Sequence, residues 1–434
     1  MRSLANVKFG ALLFGAAFFW LLESANTSAQ DATPIDAAWR AYAIAEIHSA
    51  IDVYFSHWAP LDRTSVEEAF KVYVRDAFAT DDRRRFDFAT MRFFATLKNG
   101  HTSFYDVWLT HRYGQQIGFY ARPLQERWTV MTSDVPSVTP GDVVEKIGGE
   151  PIDDFARRQR SYLAASSERE QSLDLFKHGY LFPQRFVVSL AGDRSVPIDR
   201  TKAFKQTFLD TESRSLPGGI GYIAVHSFLR RQFEDAAVQA VRRFANAPAI
   251  IVDVRGNGGG VTPEGLIQAL MDRPILMLSE SSSVNVALFK ADASFITGRD
   301  DDPALDLAPP LAGGMLSWAN PAQQPSRDAY RGRVLILTDG GCASACEDFV
   351  APFKITHRAT ILGETTYGST GQPYFETLPD GMSFHVSAKR DFFPNGSPFE
   401  GVGIAPDLLV EPTRDTLRSG RDPVLERAIE YSHA

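Results

Sequence analysis

The sequence predicts an α/β core built on a mixed sheet with crossover helices, preceded by an N-terminal helical bundle and a small β module. Three observations lead there. Between Gly219 and Leu409 apolar strand-like runs alternate with helical stretches, which is the pattern of an α/β sheet. From Asp36 to Tyr113 apolar residues recur near the helical period. From Gln116 to Arg200 short strands dominate. The 434 residues, 44% of them hydrophobic, are enough for two or three cores, and a net charge of -8 offers no basic field to nucleic acid. The expected divisions are 1–29, 36–113, 114–203, 215–412 and a C-terminal tail or helix at 413–434.

At the start, Arg2 and Lys8 precede an apolar run from Phe9 to Leu22, and Thr27-Ser28-Ala29 follows with small residues suited to cleavage. That is the build of a secretory signal peptide. The run ends at Glu23 and is shorter than the ~18–20 apolar residues a membrane span needs. With no cysteine directly after it, no lipid attachment site is expected, and no stable membrane anchor remains after cleavage. A periplasmic or secreted location follows.

In the helical part Trp39, Tyr42, Ile44, Ile47, Ile51, Tyr54 and Phe55 share a face, and Ser65-Val66-Glu67-Glu68 reads as a capping box. Asp81-Asp82-Arg83-Arg84-Arg85 reads as a solvated connection. In the β module, Thr139-Pro140-Gly141-Asp142-Val143-Val144-Glu145-Lys146-Ile147-Gly148-Gly149 resembles the Gly-Asp turn of a PDZ domain. PDZ domains bind chain ends at a sheet edge. The carboxylate loop survives here only as Gln116-Ile117-Gly118-Phe119, so a purely structural module is the other reading. A Pro/Asp/Ser-rich insertion between Ser279 and Tyr330 reads as a lid, a binding loop or decoration.

Chemistry concentrates in two turns of the core. Leu335-Ile336-Leu337-Thr338 runs into Asp339-Gly340-Gly341-Cys342-Ala343-Ser344-Ala345-Cys346, delivering one serine to a helix start, where backbone N–H groups and the helix dipole favour an oxyanion. Ala249-Ile250-Ile251-Val252-Asp253-Val254 runs into Arg255-Gly256-Asn257-Gly258-Gly259-Gly260, which is not a dinucleotide fingerprint because the third glycine of that pattern would fall on Val261. Two neighbouring parallel strands ending this way place an N–H from the first beside the serine of the second.

These turns, with Gly363-Glu364-Thr365-Thr366-Tyr367-Gly368 and Glu400-Gly401-Val402-Gly403-Ile404-Ala405-Pro406-Asp407, resemble the C-terminal processing (tail-specific) peptidases and the related tricorn-core peptidases, in the family's order. The resemblance implies a ClpP/crotonase-like core and a serine peptidase. The processing enzymes resemble serine–lysine dyads, with lysine in a Gly-Lys-Gly step. Here that step reads Gly368-Ser369-Thr370-Gly371, and neither Lys354 nor Lys389 sits at the family position.

The tricorn-like branch uses a histidine and a glutamate, and Leu97-Lys98-Asn99-Gly100-His101-Thr102 and Glu400 match those segments. The expectation is therefore an exported serine endopeptidase cleaving unfolded proteins or peptides by a Ser-His-Glu mechanism. Ser344 is its nucleophile and His101 its base. Glu400 supports the imidazole directly or through a hydroxyl, since Gly100 replaces the branch's serine. Ala345 and either Gly258 or Gly259 supply the oxyanion donors. His385 lies in the alternating run Met382-Ser383-Phe384-His385-Val386 and reads as structural. The other reading is a catalytically silent chain of the same fold that binds an apolar or peptide ligand.

Cys342 and Cys346, the only cysteines, are four apart around Ser344. A disulfide is expected, with two packed thiols as the alternative. No cofactor and no metal is expected, because two cysteines without a matched histidine pair do not make a zinc site.

Overall fold

The computed structural model describes residues 34–114, 116–201, 210–284 and 314–433. The leader read as a signal peptide lies outside them, as does the middle of the insertion. No helix among the described residues is long and apolar enough to cross a membrane.

Three helices open the chain: α1 (Ala37–Tyr54), α2 (Arg63–Phe78) and α3 (Arg83–Thr96). Each starts at an aspartate, Asp36, Asp62 or Asp82, whose carboxylate accepts first-turn N–H groups that have no helical partner. The cap of α2 is therefore Asp62 rather than Ser65, whose N–H and hydroxyl both donate to the Asp62 carboxylate. Arg83 is not in a solvated connection. Its guanidinium forks onto Asp106 at 2.6 and 2.8 Å, and Asp106 is buried. The helical reading also runs on too far, because Asn99-Gly100-His101 turns into β1 (Ser103–Asp106) before a short α4 (Val107–Tyr113).

Next come β2 (Phe119–Leu124), β3 (Arg127–Ser133), β4 (Val144–Ile147), β5 (Glu150–Pro151), α5 (Ile152–Gln159), α6 (Glu168–Asp174), β6 (Arg185–Leu190) and β7 (Arg194–Asp199). β2 and β3 pair antiparallel, and a second sheet has the order β5-β4-β6-β7. Phe119, Val130, Phe155, Phe176 and Val188 form its separate core.

The remaining elements are β8 (Glu212–Leu216), β9 (Ile220–Ala224), α7 (Arg231–Arg243), β10 (Ala249–Asp253), α8 (Glu264–Leu270), β11 (Ser279–Ser283), β12 (Met315–Ala319), β13 (Arg333–Thr338), α9 (Ala345–Thr356), β14 (Ala359–Gly363), β15 (Pro373–Thr377), β16 (Met382–Ser387), β17 (Arg390–Phe392), β18 (Leu408–Leu409), α10 (Arg414–Ser419) and α11 (Pro423–Ser432). The main sheet has the order β18-β14-β13-β10-β9-β8, parallel except for β8. Its central strands are unbroken apolar runs because both faces are covered. Ile250, Val252 and Ile336 face α7, α8 and α9, while Ile251, Leu335 and Leu337 face α11. A mixed α/β core with N-terminal helices and small antiparallel modules is thus what the chain forms.

Two consequences of this topology position the site. In the parallel β10–β13 pair Val252 lies opposite Ile336 and Asp253 opposite Leu337, so the two strands end level and their turns emerge side by side. β1 pairs antiparallel with β16, Ser103 opposite His385, and brings the early histidine turn to the late part of the chain. Phe349 on α9 is fully buried, with its ring 5.9 Å from that of Phe228 and 5.1 Å from that of Phe353. Phe349→Ala is expected to cost about 3–5 kcal/mol, read by urea denaturation. A loss below about 1 kcal/mol would show that this face is not close-packed.

Candidate active site

Ser344 caps α9 with φ 57° and ψ -126°, a conformation unusual for a residue with a side chain. The surroundings hold it there. Its N–H donates to the Ser369 carbonyl at 3.0 Å and lies 3.3 Å from Glu347 Oε2. Cys342 and Cys346 are disulfide-bonded, with Cα atoms 5.4 Å apart and both residues buried, so the turn is tied to the first turn of its helix.

His101 Nε2 lies 3.0 Å from Ser344 Oγ, and its Nδ1 lies 2.9 Å from Ser369 Oγ. The Ser369 hydroxyl donates to Glu400 Oε1 at 2.8 Å. With its proton committed to the carboxylate, Ser369 Oγ accepts from Nδ1–H, which leaves Nε2 bare toward the serine. Burial, and next the charge of Lys389, hold His101 down to about 4, so the ring is neutral at pH 7. Asn99 builds this corner. Its carbonyl oxygen accepts the His101 N–H and the Thr102 hydroxyl, and its amide donates to Glu400.

Glu400 makes no hydrogen bond to His101. Of the two routes left open by the sequence, the geometry has the hydroxyl one, supplied by Ser369. A Cβ at Gly100 would sit 3.0 Å from Ser369 Oγ, so the missing side chain at 100 makes room for the hydroxyl from 369. Glu400 Oε1 takes three donors, from Asn99, Ser166 and Ser369, while its buried Oε2 has no partner among the described residues. Burial raises this carboxyl to about 7 against those hydrogen bonds.

Of the expected oxyanion donors, Gly258 and Ala345 have N–H groups without an acceptor among the described residues, and Gly258 opens onto free space. Gly259 is corrected: its N–H donates to Asn257 Oδ1 at 2.9 Å and is not available to a ligand. Its part is steric. At φ 94°, a Cβ there would lie 2.7 Å from Ser344 Cβ and 2.9 Å from the Ala345 nitrogen, so only glycine lets the two turns touch.

The other lysines are engaged elsewhere. Lys354 pairs with Asp407, and Lys389 with Glu280 at 2.9 Å and Asp391 at 3.2 Å. No lysine among the described residues is hydrogen-bonded to Ser344. His385 lies in β16 against Tyr105 and Phe375, with Nε2 3.3 Å from Ser103 Oγ. Sequence reasoning missed Ser166, Asn99 and the structural use of Ser369. The Asn-Gly-His spelling was the only local signal for any of them.

Burial moves several of these groups in opposite directions. It raises Glu400 to about 7 and Glu170 to about 9, raises Glu347 against the hydrogen bonds that hold both of its oxygens, and lowers His101 to about 4 and His57 and His385 to about 3. Glu170 holds a proton in the folded state that an unfolded chain releases near 4.5. Its contribution is complete below that pH and is lost as pH rises through about 9. The histidine contribution is complete above 6.5 and is lost as pH falls through 4. Above pH 7, where the histidine contribution is complete, the melting temperature is expected to fall toward pH 9, less steeply in Glu170→Gln. A melting temperature that rises from pH 6 to 9 would contradict the assignment.

Comparison with known proteins gives this geometry its context. Residues 219–410 match peptidase family S41. The chloroplastic C-terminal processing peptidase of Tetradesmus obliquus is 26% identical over 215 residues, covering 48% of this chain and 39% of that protein. The carboxy-terminal-processing protease of Bartonella bacilliformis is 24% identical over 213 residues, covering 48% and 42%. The chain thus spans less than half the length of these relatives. Among solved structures, mature CPAF aligns over 91% of this chain and 96% of its own with a TM-score of 0.66 at 13% identity. The photosystem II D1 C-terminal processing protease aligns over 89% and 99% with a TM-score of 0.51 at 17% identity. These two likenesses are of fold. The relatives correct the expected Ser-His-Glu mechanism, because the peptidases of this family work with a serine–lysine dyad. With its nucleophile turn and glycine turn both inside it, the segment 219–410 is the part of the chain that matches peptidase family S41, and it is similar to the carboxyl-terminal-processing peptidases.

Proposed function

We propose that the chain is an exported serine-type peptidase that hydrolyses peptide bonds in unfolded or extended polypeptide, with Ser344 as its nucleophile. One observation carries the reading: the Ser344 hydroxyl lies 3.0 Å from an imidazole nitrogen at a helix start, beside two unused backbone N–H groups. Export is supported by the apolar leader and by the Cys342–Cys346 bond, which is characteristic of oxidising compartments.

The relatives work with a serine–lysine dyad, and in this chain the side chain that lies against the Ser344 hydroxyl is His101. Ser344 Oγ attacks the peptide carbonyl carbon as its proton passes to the base. The carbonyl oxygen becomes an oxyanion held by the N–H groups of Gly258 and Ala345. The C–N bond breaks as that proton is returned to the departing amine, and water then hydrolyses the acyl-enzyme. Burial notwithstanding, Lys389 is held protonated by its pairing with Asp391 and Glu280.

Ser344→Ala is expected to lose cleavage of a denatured casein-like substrate by about 10³-fold or more while its melting temperature stays close to wild type. A wild-type chain that leaves the substrate uncut would overturn the enzyme reading in favour of a silent ligand-binding chain.

The proton acceptor has a separate readout. With His101 neutral down to about 4, kcat/KM is expected to fall only on the acid side below about pH 5 and to stay level above pH 8. His101→Ala should lose about 10²–10⁴-fold. A tenfold rise in wild-type kcat/KM between pH 8 and 10 would point to a lysine acceptor instead.

A further inference from the structure

Glu347 lies three residues after the nucleophile, inside the first turn of α9, with no exposed surface. A carboxylate in that place usually serves its own helix. This one does that, closing a capping box with the Ser344 N–H, and it also reaches a different part of the chain. Oε1 accepts the Gly368 N–H at 2.7 Å and the Thr366 hydroxyl, and Oε2 accepts the Ser369 N–H at 3.0 Å. Oε2 also lies 3.3 Å from the Ser344 N–H, which donates at the same time to the Ser369 carbonyl. One buried side chain therefore collects donors from residues 366–369 and from the nucleophile itself.

The two segments it joins are the two neighbours of His101. Ser344 Oγ is at Nε2 and Ser369 Oγ is at Nδ1. We infer that Glu347 is a positioning residue for the hydrolysis proposed above, fixing the Ser344 and Ser369 hydroxyls relative to each other so that one imidazole meets both. The inference rests on that proposed reaction but not on which group accepts the proton. Thr366 extends the same anchor, since its hydroxyl oxygen takes the Ile404 N–H while its proton goes to Glu347, tying in the segment just after Glu400.

The chemistry of the pocket makes the requirement specific. Donors reach both carboxylate oxygens, so a glutamine at 347 would turn its NH₂ toward an N–H group in either flip and lose at least one arm of the clamp. The resulting shift moves the reacting hydroxyl rather than the substrate groove, and so is felt in kcat and not in KM.

The experiment compares wild type, Glu347→Gln and Thr366→Val by fluorophosphonate labelling of Ser344 and by steady-state cleavage of an unfolded polypeptide. Glu347→Gln is expected to label and to turn over about 10²-fold more slowly, with KM within about twofold. Thr366→Val, which keeps the carboxylate, should slow both by about 3- to 10-fold. Labelling and kcat of Glu347→Gln within twofold of wild type would overturn the inference alone. If Glu347→Gln does not fold, wild-type rates in Thr366→Val would overturn it. Wild type that neither labels nor cleaves would overturn the proposed reaction, and the inference with it.

Discussion

The site depends on one strand pairing across most of the chain. β1 follows the His101 turn directly and pairs antiparallel with β16, Ser103 opposite His385. The pairing is secured by apolar burial: Leu378, Met382, Phe384 and Val386 belong to the same core as Phe86, Phe93, Phe94 and Phe104. A slip of one residue would turn Phe104 and Phe384 out of that core. The helical part and the late strand are therefore one packed unit, and His101 is placed by that packing together with its own hydrogen bonds to Asn99 and Ser369.

The same burial sets the electrostatics. A dry pocket keeps the His101 imidazole neutral and makes the nearby acids costly to ionise. The chain answers that cost unevenly. Both Glu347 oxygens are hydrogen-bonded, whereas Glu400 crowds three donors onto one oxygen and leaves the other bare.

The parts of the chain that could be read in advance were those set by repeating physical patterns. Unbroken apolar runs marked β10 and β13, small residues marked the two turns, and the four-residue spacing of Cys342 and Cys346 marked the disulfide. What escaped were contacts made by short polar side chains over long separations. Ser166 reaches Glu400 from 234 residues away, and Asn99 reaches it from 301. Serine and asparagine are common on surfaces and in turns, so composition and period say nothing of where their hydroxyl or amide will lie once the chain is folded. Arg83 was misread for a related reason: its run of charges looks solvated until β1 brings Asp106 against it.

In the sequence Ser369 marks only the place where the resemblance leads one to look for a lysine. In the folded chain it occupies space that a side chain at 100 would fill, and it connects His101 to Glu400. The sheet, the glycine turn and the disulfide deliver a serine together with two N–H groups that have no acceptor among the described residues, whatever its partner. Which side chain can touch that serine is then a matter of size at two positions. With glycine at 100 and serine at 369 the imidazole has a hydroxyl to lean on at Nδ1 and a clear line to Ser344 at Nε2. A lysine at 369 would bring a long charged chain into a buried corner already filled by His101, Glu400 and Ser166. Which side chain lies against that serine thus follows from local volume, while the fold itself is indifferent to it.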